Sequence, residues 1–403
     1  MKVIQINSVA NSGSTGRIAE QIGHQLIAAG HESYIAFGRR SQPSVSELVS
    51  MNDQMGQAWH LLQTRLFDRH GFASKDATVH LINALERIRP DIVHVHNLHG
   101  YYLHIGRLLE YLKSQSIPVV FTLHDCWAFT GHCSHFESAG CYKWQTECHH
   151  CPNIKKYPAS WGMDQSTRNF RDKKRLLTGL KNAVIVTPSN WLKKHVEASF
   201  LGEYPVQTIH NGVDLSVFQP NIALNREQYG IPENATIVLG VASTWGPSKG
   251  LKDFIQLRDL LPETFQIVLV GLTPEQIQSL PPGMTGIHRT ENTRDLAALY
   301  GAAAVLVNPT YADNFPSVNI EALACGTPVV TYETGGSPEA VLHPRSKVVK
   351  PGDYRALAEA IVSIGHSLSL QDRAECRAVA EHYFDQKKQF QQYITLYQTV
   401  LAR

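Results

Sequence analysis

Two acids eight positions apart, Asp313 and Glu321, bracket the stretch DNFPSVNIE. The segment follows an apolar, strand-like run (AAVLVNP, 303–309) and opens a helix, so one carboxylate falls in a loop and the other on the first helical turns. With the backbone N–H groups of Asn314, Phe315 and Pro316's neighbours between them, the acids suit a ligand with hydroxyls at both ends and a diphosphate in the middle. The plainer alternative is a helix start at which the dipole favours acids. Lys249, within Ser248-Lys249-Gly250, lies between a strand and a helix, where it can neutralise a phosphate as a point charge or stand exposed in solvent. His124 ends the run PVVFTLH beside Asp125; it can orient or donate to a polar ligand, or be a buried structural histidine. Gly13 and Gly16 lie in a small-residue loop, Asn11–Gly16, which could lay N–H groups against a phosphate or a sugar, or form a tight turn. That loop is neither G-x-G-x-x-G nor a Walker loop, so the NAD and ATP fingerprints are absent.

A second cluster has different chemistry. CSHFESAGCYKWQTECHHCP (133–152) holds Cys133, Cys141, Cys148 and Cys151. Five of the seven cysteines fall between Cys126 and Cys151, and in a reducing compartment such clustering favours metal binding or catalysis over disulfides. Four thiolates would make a tetrahedral zinc site with no open position, hence a structural one. A mixture with His132, His135, His149 or His150, and free thiols or a redox-formed disulfide, are the alternatives. Downstream, between Lys155 and Arg175, the basic residues 155, 156, 168, 171, 173, 174 and 175 outnumber Asp164 and Asp172. They read as a solvated helix face or as a docking surface for anionic lipid.

The elements that must position these residues alternate. Lys2–Asn7, Ser33–Phe37, 91–97, 118–124 and 183–189 are β-rich runs, and Arg17–Ala29 carries apolar residues at helical spacing. After about residue 215 the alternation restarts with strands in 236–243, 265–271, 303–309 and 328–332 and helices near 250–261 and 317–325. Asn211-Gly212-Val213-Asp214 reads as a tight turn at the junction, and 386–402 as a closing helix. The fold class is therefore α/β, with two Rossmann-like doubly wound domains facing a central cleft. An acceptor-side domain, 1–215, carries a Cys-rich insertion at 126–152; a donor-binding domain spans 216–385. Segment 386–403 is expected to pack back on the first domain. The chain has 403 residues and a net charge of +2, which argues against a nucleic-acid binder. The start lacks the apolar core of a signal peptide, and no run approaches the roughly 18–20 apolar residues of a membrane span. These features predict a cytoplasmic protein with at most peripheral contact at the inner face of the membrane.

Together the segments NGVD with Phe218 and Pro220, SKG, DNFPSVNIEALACGTPVV and TGGSPE, with the glycine loop and TLHD, resemble retaining nucleotide-sugar glycosyltransferases of the GT-B fold. GSTGRIAEQI, TLHDCWAFTGHC and the cysteine stretch look like the subset that builds bacterial exopolysaccharides, of the colanic-acid type. The resemblance implies a UDP- or GDP-sugar donor and a lipid-linked oligosaccharide acceptor. It implies Glu321 on the ribose hydroxyls, Asp313 on the donor sugar, Asn314, Phe315 and Pro316 in the loop meeting sugar and diphosphate, and Lys249 on phosphate. It further implies His124 beside the donor sugar, and Gly13 and Gly16 approaching the phosphate and the acceptor. Two departures stand out: Asp313 replaces a glutamate, and Thr244 stands where an arginine is usual, leaving Lys249, Arg17 or Arg294 to carry the charge. No Asp-x-Asp motif is present, so no metal is expected in catalysis. A non-hydrolysing sugar-nucleotide epimerase and a zinc-stapled scaffold are the competing readings.

Overall fold

The computed structural model describes residues 1–51 and 53–402. The chain divides into two compact units, Met1–His210 together with the chain from Gln389 onward, and Asn211–Lys388. Each is built on one parallel sheet.

The first sheet runs β3-β2-β1-β4-β5-β6-β7, from β1 (Lys2–Asn7), β2 (Glu32–Phe37), β3 (Glu47–Ser50), β4 (Ile92–Val95), β5 (Val119–Thr122), β6 (Ala183–Thr187) and β7 (Val206–Thr208). Neighbouring residues in the strands face opposite ways, so a strand covered on both sides must be apolar throughout. Val3, Ile92, Val120 and Val184 meet Ile18, Ile22 and Leu26 of the helix Gly13–Ala28 and the C-terminal helix Gln386–Leu401. Ile4, Val93, Val119 and Ile185 face the other way into a larger core with Trp127, Phe136 and Trp144. Phe390, Tyr393, Ile394, Leu396, Tyr397 and Val400 are buried on the first unit, each contributing roughly 1.5–3 kcal/mol for a large side chain. Two of them also carry polar anchors: Tyr397 Oη bonds His94 Nδ1 at 2.7 Å and Tyr393 Oη bonds Thr122 Oγ1 at 3.1 Å.

The second sheet runs β10-β9-β8-β11-β12-β13, from β8 (Thr236–Val241), β9 (Phe265–Val270), β10 (Met284–Ile287), β11 (Val305–Asn308), β12 (Val329–Tyr332) and β13 (Lys347–Val349). In both sheets the strand order reverses once, between β1 and β4 and between β8 and β11. Crevices at the carboxyl ends of such reversals are where open α/β sheets bind ligands.

Three local expectations need correction. The first helix begins at Gly13, not Arg17, so Gly13–Gly16 is its first turn rather than a loop before it. Asn211-Gly212-Val213-Asp214 is not a turn: Val213 N–H donates to Phe384 O and Gln386 N–H to Val213 O, a parallel bridge to the chain entering the last helix. Lys173 does not belong to a solvated basic face. It is 1% exposed on the helix Ser166–Leu177, whereas Lys155, Lys156, Arg168, Arg171, Lys174 and Arg175 are exposed.

Candidate functional site

In the second unit the sequence-predicted residues meet at the β8/β11 reversal. Lys249 ends a short 3-10 turn after β8, and Asp313 lies in the loop after β11. Their side chains form an ion pair, Lys249 Nζ to Asp313 Oδ2, at 2.6 Å with both partly exposed. Asp313 Oδ1 accepts the Phe315 N–H at 3.3 Å, so one carboxylate sets both the lysine and the loop. The two turns are stitched together: Tyr311 N–H and Thr310 Oγ1 both donate to Ser248 O, at 2.8 and 3.2 Å. A third loop, after β12, closes on the same place. Gly336 N–H donates to Asp313 O at 3.2 Å, and Gly335, at φ +55°, sits so tightly that any Cβ would strike that carbonyl. The first glycine of Thr334-Gly335-Gly336 thus has two independent reasons to lack a side chain.

Asn314, Phe315 and Pro316 are buried, and Phe315 packs into the core beside Phe384 at a ring distance of 5.8 Å. Phe315 therefore offers backbone, not its ring, to a ligand. Glu321 lies on the first turns of the helix Ser317–Ala324 and accepts the Tyr300 hydroxyl at Oε2, 2.8 Å. Burial, with Glu321 adding to it, holds the Tyr300 phenol well above its ordinary pKa, so it stays a donor. One carboxylate oxygen is thus committed and the acid's orientation is fixed.

Several supporting residues carried no recognisable sequence signal. Asp253 is 3% exposed and accepts the hydroxyls of Tyr311 and Tyr332 at 2.6 and 2.8 Å, anchoring the helix after Lys249 to the loop before Asp313. Asn319, fully buried, accepts from Asn308 at 2.9 Å and donates to Ser337 at 3.2 and 3.3 Å. Buried amides need partners, and these tie β11, the acid-bearing helix and the glycine turn into one block. Thr244 is exposed and donates to Ser243 O, while Arg17 and Arg294 are also exposed.

In the first unit Thr15, on the first turn of Gly13–Ala28, accepts from Asn7 at the end of β1 and from Asn97 after β4, both at 3.2 Å. That fixes the helix N-terminus at the β1/β4 reversal. Gly13 is exposed at φ +61° with open space at its missing Cβ; at Gly16 a Cβ would press on Val9 and the Asn11 backbone at 3.1–3.3 Å. His124, half-buried, ends a chain that begins in the core. Gln5 donates through Nε2 to Ala19 O, leaving Oε1 to accept from His96 Nε2 at 2.9 Å. His96 Nδ1 then accepts from His124 Nε2 at 3.1 Å, which makes His124 Nδ1 an acceptor. Burial pushes His124 down to about 4 and His94 to about 3, so both are neutral near neutral pH. Beside them Asp125 pairs with His99 at 2.7 Å. Burial acts to raise the acid, but His99, His135 and the Trp127 N–H outweigh it and hold it at about 2.

Cys133, Cys141, Cys148 and Cys151 line one small cavity with His132, His149 and Trp144. A different group, His343, Asp372 and Glu375, has ligand atoms within 4.8 Å of one another. There Arg345 already donates to Asp372 at 2.9 Å and Gln371 to Glu375 at 2.7 Å, so the acids are satisfied by protein donors. Among the described residues no helix is long and apolar enough to cross a membrane.

Two Rossmann-like parallel-sheet units, each with polar residues gathered at its strand-order reversal, are the architecture of the GT-B fold class, and the family models make the chain a nucleotide-sugar glycosyltransferase. Glycosyltransferase Family 4 matches residues 15–217 and Glycosyl transferases group 1 matches 235–366. The chain belongs to glycosyltransferase family 4. WcaC of Escherichia coli (strain K12), named as a colanic acid biosynthesis glycosyl transferase, is 22% identical over 99% of this chain and 100% of its own length. Among solved structures, sucrose-phosphate synthase of Thermosynechococcus elongatus superposes with a TM-score of 0.74 at 19% identity, covering 100% and 99% of the two chains. Anabaena Alr3699/HepE in complex with UDP-glucose gives 0.67 at 17%, covering 99% and 100%.

Proposed function

We propose that this enzyme transfers a hexosyl group from a UDP- or GDP-sugar to a lipid-linked glycan acceptor during assembly of a surface polysaccharide, with retention at the anomeric carbon. The observation that carries the donor assignment is the Lys249–Asp313 pair at the β8/β11 reversal, with Glu321 one helix start away. Lys249 neutralises the diphosphate as it leaves, Glu321 takes the ribose hydroxyls, and Asp313 takes a hydroxyl of the donor sugar. Before donor binding the lysine and the acid neutralise each other. A phosphate that displaces the acid from Lys249 also releases Asp313 toward the sugar. The acceptor oxygen bonds the anomeric carbon as the bond to diphosphate breaks, and the acceptor proton passes to the leaving phosphate oxygen. Gly13, Gly16 and His124 are assigned by family resemblance to the phosphate, the acceptor and the donor sugar. No metal is assigned to catalysis. The full-length match to a colanic acid transferase supports the polysaccharide context, and the UDP-glucose complex of a fold relative supports the donor class.

Contact with anionic lipid at the inner face of the cytoplasmic membrane completes this reading. The helix Gln54–Phe67 turns Met55, Trp59, Leu62 and Leu66 outward at helical spacing, and Arg65 lies over the exposed Trp161 ring at 5.6 Å. A wet apolar face rimmed by arginine fits a lipid surface, as do the exposed bases of 155–175. Sedimentation with anionic vesicles should fall on Trp59→Ser/Trp161→Ser. Transfer itself is tested by incubating the protein with a panel of UDP- and GDP-sugars and lipid-linked acceptors and following UDP or GDP release. Product without acceptor would favour an epimerase; no turnover and no nucleotide binding would favour the scaffold.

A further inference from the structure

The cysteine-lined cavity has a built surround that the transfer reaction does not use. Cys133 and Cys151 are in sulfur–sulfur hydrogen-bond contact, although they are eighteen positions apart. Three N–H donors are aimed at sulfur: Gly131 N to Cys148 Sγ at 3.1 Å, Asn153 N–H to Cys151, and the Asn153 side-chain amide to Cys133. The sulfur contact of Gly131 requires glycine, since a Cβ there would strike Ser166 O and Cys148 Cβ. Asn153 is 2% exposed, so its donors are not spare surface groups. These donors fix the positions of the sulfurs from outside, as the outer partners of a metal site do.

Lys173 is the second, independent observation. Its ammonium is buried and donates to Trp127 O at 2.6 Å and Thr130 O at 2.9 Å while lying 3.5 Å over the Trp127 ring. Among the described residues it forms no ion pair with a carboxylate, and the groups that favour its ammonium against burial are Cys148, Asp68, Cys133 and Asp125. A buried cation needs a countercharge, and a tetrathiolate zinc site carries two excess negative charges. His132 is unsuited to replace a cysteine, because its Nδ1 pairs with Asp68 at 2.5 Å and its Nε2 faces Lys156 O at 3.4 Å.

We propose that Cys133, Cys141, Cys148 and Cys151 bind one zinc ion as a structural site, with Lys173 as its buried counter-charge. The side chains are not yet closed around an ion: no three of these sulfurs lie within 4.8 Å of one another, so binding draws the outer thiols toward the Cys133–Cys151 pair. The site closes a segment that holds only two short 3-10 turns, Glu137–Ala139 and Lys143–Gln145, between β5 and the helix Ser166–Leu177.

The test uses the full chain, reduced, stripped by chelator and titrated with cobalt(II), then with zinc. One equivalent of cobalt should give sulfur-to-metal charge-transfer and tetrahedral d–d absorption, displaced by one equivalent of zinc. Cys148→Ser and Cys151→Ser should abolish that spectrum, whereas Cys325→Ser, in the other unit, should keep it. Lys173→Met should weaken cobalt binding by about tenfold or more, as loss of an outer partner of a metal site does. A folded, reduced protein that shows no cobalt spectrum while all four thiols are freely alkylated overturns the proposal. So does a Cys133–Cys151 disulfide in protein isolated and alkylated without air.

Discussion

The two units place polar residues at the same topological position and use them in opposite ways. At the β1/β4 reversal the first unit holds a buried chain, Gln5–His96–His124, flanked by His94 and tied to the C-terminal helix by Tyr397. Its imidazoles are held neutral by burial, and each hydrogen bond dictates the tautomer of the next ring. At the β8/β11 reversal the second unit holds an ion pair near the surface, Lys249–Asp313, supported by a buried carboxylate and a buried amide network. A neutral buried chain resists change, whereas a half-exposed pair can exchange one partner for a phosphate. One fold therefore yields a rigid platform in one unit and a displaceable charge in the other.

The largest expected effect breaks the displaceable charge. Lys249→Ala should lower turnover by about 10²–10³-fold, the scale for loss of one preorganised charge stabiliser, with an unchanged melting temperature. Steady-state UDP or GDP release against thermal unfolding separates the two readouts.

The neutral platform should fail with acid. The folded pKa values of His94 and His124, about 3 and about 4, lie below the ordinary 6.5, so the unfolded chain binds more protons. Stability is present above pH 6.5 and falls as pH drops toward 4. The slope is about 1.4 kcal/mol per pH unit for each histidine. Denaturant unfolding at pH 7.5, 6.0 and 5.0 measures it; flat stability across that range would remove the neutral-chain description.

Two smaller effects sharpen the contrast by dividing binding from stability. Tyr300→Phe removes the donor that orients Glu321 and should raise the donor KM about fivefold, near 1 kcal/mol, with kcat little changed. Tyr397→Phe removes the anchor to His94 and should cost about 1 kcal/mol, or a melting-temperature drop of about 2–4 °C, with nucleotide affinity unchanged. If each variant affected both readouts, the division of labour would not hold.

Legibility in the sequence followed physical range. The alternation of apolar strands and helices is local and periodic, so the inner strands of both parallel sheets could be read directly, whereas the edge strands β3, β7, β10 and β13 are too short to show a pattern and were missed. Asp313, Lys249 and Glu321 were visible because they follow strands, and the reversal at β8/β11 brings the loops of the first two together. The Asn211–Gly212 pair misled because local turn chemistry competes there with a long-range bridge to Phe384 and Gln386. Asp253, Asn319 and the Gln5–His96 link stayed hidden because buried polar residues declare themselves only through partners distant in sequence. Lys173 looked like one more surface base for the same reason.

The claim that the donor is held at the β8/β11 reversal is tested most directly by calorimetric titration of UDP and GDP into the wild-type protein and Glu321→Ala. One of the two nucleotides should bind the wild type, with affinity for the variant at least about tenfold weaker, as expected for a lost hydrogen bond to a charged group. Equal affinities in two well-folded proteins would contradict the account.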